Sequence, residues 1–156
     1  MRIPKKASNW YIALIHYLIG GFIMPGFVAL IGSVIIMPVF IILAGTSNSS
    51  AAILTLVIAG LILTPLGIWY GVKYSAGVLK GGYIITDPTA VINLSTLFRA
   101  IIPTLYIIYS ISKGGMQLAQ IIINILSLVI SVILFYIFSK KYFSISQSTP
   151  ETQIQS

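Results

Sequence analysis

From Trp10 to Ala44 the chain contains no Asp, Glu, Lys or Arg. Crossing a hydrocarbon core of ~30 Å takes only about 20 helical residues, so this one stretch already selects a lipid-embedded fold over a water-soluble one. Composition agrees: 58% of the 156 residues are hydrophobic and 7% charged, with a mean hydropathy of +1.04. A chain of this length would otherwise suit one soluble domain.

Four apolar runs meet the length requirement. The fold class they predict is all-α: a polytopic integral membrane protein with transmembrane helices at about 24–44, 51–72, 95–111 and 116–138. The first run is too long for one comfortable span, yet two spans would leave only ~14 residues for the first of them. The motif GGFIMPG (Gly20, Gly21, Pro25, Gly26) divides it where a helix is most easily interrupted. Residues 8–21, carrying Trp10, Tyr11 and Tyr17, are therefore expected as an interfacial helix leading into the first span. The alternative makes 10–23 a further membrane segment. MRIPKK resembles a signal-peptide start, but the apolar stretch behind it far exceeds an h-region of ~7–15 residues, which predicts an uncleaved N-terminus.

Between the spans lie an uncharged turn, TSNSS at 46–50, a connection at 73–92, and the short turn SKGG. Residues 1–141 read as one transmembrane helical domain, and 142–156 as a polar, disordered tail. Nine Lys and Arg against two acids give a formal charge of +7. These cations are spread among the inter-span segments, so the positive-inside rule accounts for them better than nucleic acid does, and no nucleic-acid partner is expected. With four spans and the N-terminus inside, Arg2, Lys5, Lys6, Lys73, Lys80, Lys140 and Lys141 are cytoplasmic and Lys113 alone is outside. A fifth span would nearly cancel that asymmetry. Both termini are thus expected in the cytoplasm, where anionic lipid headgroups are partners. Heavy Ile use and Lys in excess of Arg suit a bacterial cytoplasmic (inner) membrane.

Two helical stripes stand out. Gly60, Thr64, Gly67 and Gly71 fall on one face of the second span and include the GxxxG of GIWYG, a surface for close packing with another span or a second copy. Gln117, Gln120, Asn124, Ser127 and Ser131 continue from Lys113 along one face of the fourth span. Polar groups in hydrocarbon need partners, so this stripe should face a neighbouring helix, another subunit or an aqueous path.

The third span opens with Asp87-Pro88, a good helix start: the carboxylate suits the N-cap and proline suits N1. Upstream, VLKGGYII predicts a small hairpin about Gly81-Gly82. On one continuous helix Asp87 and Arg99 stand ~18 Å apart and cannot pair. Arg99 is left inside the apolar segment, to snorkel toward lipid phosphate or to find an intramembrane partner. Pro103 can kink this span, and Tyr106, Tyr109 and Ser110 add polar atoms beyond it.

Catalysis finds little support. There is no cysteine and one histidine, His16, which reads as an interfacial surface residue. No nucleophile elbow, phosphate loop or zinc-protease motif occurs, and no metal or cofactor site is expected. Asn48-Ser49-Ser50 matches a glycosylation sequon, a weak three-residue signal. The sequence favours a non-enzymatic accessory, scaffold or assembly subunit of a larger membrane complex, with other subunits or copies of itself as partners. Its rival is an oligomeric pore, holin-like or transporter component with Arg99 and the polar stripe lining a path.

Overall fold

In the computed structural model, residues 4–45, 49–114 and 117–144 are described. The Asn48 sequon, Arg2 and positions 145–156 of the tail lie outside them. The elements are β1 (Lys5–Lys6), α1 (Asn9–His16), a π-helical segment (Tyr17–Ile23), α2 (Met24–Gly45), α3 (Ser49–Gly82), β2 (Tyr83–Ile84), α4 (Pro88–Ser112) and α5 (Leu118–Ser144). Four helical stretches are long and apolar enough to cross a membrane: Asn9–Leu43, Val57–Gly82, Pro88–Ser112 and Gln120–Phe143.

The N-terminal stretch is not a separate interfacial helix. It runs through the π segment into α2 without a break. GGFIMPG widens the helix rather than ending it, because a missing N–H at Pro25 can be absorbed by slipping the ladder. Met24 N–H accordingly bonds Ile19 O, five residues back. Ser8 caps the start, its Oγ accepting from Tyr11 N–H at 3.3 Å.

The connection expected at 73–92 is mostly helix. α3 continues through Lys73 and Lys80 to Gly82, about 51 Å in all at 1.5 Å per residue. A change from apolar to cationic residues marks a change of solvent and need not end a helix. Nor is there a hairpin at Gly81-Gly82: Tyr83–Ile84 pairs in parallel with Lys5–Lys6 from the other end of the first helix. α4 does start at Pro88, and Asp87 Oδ1 accepts Ala90 N–H at 2.9 Å. This helix passes unbroken through Asn93–Ser95 to Ser112, so Asp87 and Arg99 remain apart. Gly114, at φ +67°, supplies the left-handed residue of the turn that follows. α5 extends past Lys141 to Ser144.

Alternation of chain direction gathers the start of α1, the end of α3, the start of α4 and the end of α5 at one end of the bundle. There Ile12, Ala13, Ala76, Leu79, Val91, Ile92 and Phe143 form a buried cluster, and Ile68, Val72 and Phe135 form a second one further along. Lys80 Nζ donates to Tyr142 O, and Trp69 Nε1–H donates to Tyr142 Oη at 2.6 Å, fastening α3 to α5. Lys5, Lys6, Lys73, Lys80, Lys140 and Lys141 belong to this packed end. Toward the other end the helices part: α2 stays on α3 and α4 stays on α5, whereas α2 has no comparable packing against α4 or α5 among the described residues.

Candidate functional site: a cavity around Arg99

Proline has no N–H, so Pro25 cannot serve as the α-helical donor to Gly21 O, nor as the π-register donor to Gly20 O. These two carbonyls find other surroundings. Gly20 O rests against Gly71 of α3, so closely that any side chain on Gly71 would overlap it. Gly21 O accepts a hydrogen bond from Arg99 Nη1, reaching across from α4. The cation thus turns to a backbone oxygen whose α-helical donor is missing, instead of extending along its own helix toward the packed end.

Where the helices part above this bond, a cavity of about 550 Å³ opens. One wall is Phe22, Pro25, Gly26 and Ala29; the next, from α3, is Gly60, Leu63, Thr64 and Ile68. α4 contributes Arg99, Pro103, Tyr106 and Ile107, and α5 contributes Asn124, Ser127, Leu128 and Ser131. Its lining is therefore largely apolar, with one guanidinium, three hydroxyl-bearing residues besides Tyr106, and one amide. Ser131 Oγ donates to Leu128 O at 2.9 Å, so its lone pairs remain available inside. Arg99 Nε is buried without a hydrogen-bond partner among the described residues. Buried donors of that kind are rare and costly, and a charged one most of all.

Both stripes read from the sequence divide at the level of this cavity. Gly60 and Thr64 line it, while Gly67 and Gly71 pack on the first helix of the same chain. A methyl on Gly67 would come within 3.1 Å of Pro25 Cα. On α5, Asn124, Ser127 and Ser131 face the cavity, whereas Gln120, and Gln117 just before the helix, are exposed and take no part in it. Tyr109 is exposed as well, with Lys113 Nζ 5.9 Å from its ring centre.

A second polar group lies beneath, at the packed end. His16 is completely buried rather than interfacial. Its Nδ1 is 2.8 Å from Ser75 Oγ and its Nε2 is 2.9 Å from Ser139 Oγ, and the ring packs on Phe135 and Phe143 with centroids 5.1 and 4.8 Å away. Ser75 Oγ also donates to Val72 O at 3.1 Å. One arrangement satisfies every bond: Ser139 donates to Nε2, Nδ1–H donates to Ser75, and Ser75 donates to Val72 O. Each proton is committed, and the ring is fully buried. Asp87 is engaged at the N-cap of α4.

Sequence reasoning missed Ser75 and Ser139, and read Gly21 and Pro25 as a helix interruption without seeing their part in this site. Signals for all four exist. Ser75 is one further step, i+4, along the small-residue stripe beyond Gly71, and Ser139 is i+8 beyond Ser131 on the polar one. Pro25 identifies its orphaned carbonyl by subtraction of four. Among the described residues no three His, Cys, Asp or Glu side chains gather as a metal site. No family model matches the chain, and neither the curated proteins nor the solved structures contain a match to it.

Proposed function

We propose that this chain is a small, non-enzymatic, multi-pass integral membrane protein whose working part is the Arg99 cavity, and that it serves as a pathway or carrier component for an anionic group. The observation that carries this reading is convergence: Arg99, Thr64, Asn124, Ser127 and Ser131, from three helices, line one space in the middle of apolar segments. A cation placed there is expensive unless something uses it. The distribution of lysines supports an orientation with both termini in the cytoplasm, and the Ile-rich, Lys-over-Arg composition supports a bacterial inner membrane.

The assembly-subunit reading retains a narrower basis. Gly67 and Gly71 are occupied within the chain, which leaves Gln117 and Gln120, exposed at the start of an apolar helix, as the groups suited to another subunit. One reconstitution separates the two readings. Efflux of a trapped small anion from liposomes should fall about tenfold in Arg99→Gln and clearly in Asn124→Leu, with the detergent-solubilised particle size unchanged. Gln120→Leu should leave efflux intact and, on the second reading, alter particle size. Equal efflux from wild type and Arg99→Gln would sink the pathway proposal.

A further inference from the structure

The shape of the cavity also bears on what enters it. Toward the packed end it is closed by Ile68, Val72 and Phe135, all fully buried, with the His16 layer beyond them. Toward the side it is open, because α2 and α4 diverge. The rim of that opening is Phe22 and Ala29 on one helix and Pro103 and Tyr106 on the other. Water would be poorly held by such walls, and about 550 Å³ is the liquid volume of some eighteen waters at ~30 Å³ each. A bare inorganic anion would fill a small part of it and leave the apolar remainder empty. An amphiphile fits both parts.

We infer that the cavity seats an anionic phospholipid that enters sideways between α2 and α4. Its phosphate accepts hydrogen bonds from the guanidinium of Arg99, through N–H groups not engaged by Gly21 O, and from the hydroxyls of Thr64 and Ser127, and its acyl chains leave along Phe22, Ala29 and Pro103 into the bilayer. Charge and donor geometry select the phosphate, since a guanidinium is the side chain best suited to phosphate oxygens. The apolar rim selects the lipid over the free ion. This rests on the reading of the Arg99 cavity as the working part of a membrane protein.

The test uses the full chain in phosphatidylcholine nanodiscs doped with phosphatidic acid that carries a photoactivatable group on one acyl chain, with crosslinks mapped by mass spectrometry. Labelling should concentrate on residues 22–29 and 103–107 above the level on the outward face of α5. Arg99→Gln should lower that excess about tenfold, and Arg99→Lys should restore part of it. Ser127→Phe, which occupies the space and keeps the cation, should lower it equally, guarding against a folding defect in Arg99→Gln. Uniform labelling indifferent to both substitutions overturns the inference. Loss of the labelling on adding inorganic phosphate also overturns it, assigning the cavity to a water-borne anion and leaving the pathway proposal standing. Concentrated labelling without anion efflux has the opposite meaning: a lipid seat that is not a solute pathway.

Discussion

His16 has both ring nitrogens committed to serines of two different helices, and its faces are covered by Phe135 and Phe143. Such a residue fixes the rotation of α1 against α3 and α5, since turning any one of them would strand a buried donor or acceptor. Ser139→Ala should therefore lower stability by about 1–3 kcal/mol, the cost of leaving a buried polar atom unpaired, read as a lower melting temperature in detergent with helix content unchanged before the transition. Anion efflux should be unaffected, because no atom of this group lines the cavity. Nothing in the residue type disclosed this burial. A lone histidine beside Trp10 and Tyr11 matches an interface by composition, and only the two serines lying on continuations of the stripes mark its partners.

At the scale of elements, the glycines of α3 differ in what they do. Gly71→Ala would drive a methyl into the Gly20 carbonyl, whereas at Gly60 nothing lies within 4 Å. Gly71→Ala should cost about 1–3 kcal/mol through overpacking, and Gly60→Ala should be tolerated; parallel thermal melts decide this. Pro25 and Arg99 are coupled through Gly21 O. In a double-mutant cycle, Pro25→Ala should return an N–H to the first helix and make the loss of Arg99 less costly, with an interaction energy of about 1 kcal/mol. Additive effects would show that the Arg99 bond is incidental to the proline. The number and type of the long helices were legible in the sequence, because hydropathy over twenty residues is a strong physical signal. Apart from the start of α4 at Pro88, their ends were not: Lys73 and Lys80 mark a change of solvent only for side chains, and the backbone of α3 stays helical beneath them. The cavity was half legible. Its polar members share helix faces, but the division of both stripes between packing and open space depends on where the helices part.

For the molecule as a whole, six lysines belong to the packed end and Lys113 to the other among the described residues. The absence of native cysteine allows a clean check of orientation. In sealed cells or right-side-out vesicles, a membrane-impermeant maleimide should label Lys113→Cys and spare Lys141→Cys until the membrane is permeabilised; the reverse pattern would invert the proposed topology. The partition into a packed and a parted end has a further thermodynamic consequence. Helices surrounded by lipid gain little hydrophobic free energy by meeting one another, since acyl chains are as apolar as leucine. In the proposed topology, the cluster of Ile12, Leu79, Val91 and Phe143 lies where the first-helix, α3, α4 and α5 ends would emerge into water, beside the strands and six of the lysines. It should obey the rules of a small soluble core, with a positive heat capacity of unfolding and sensitivity to urea. The parted end should respond instead to the thickness and chemistry of the bilayer. One short chain would then melt in two steps, each governed by a different solvent.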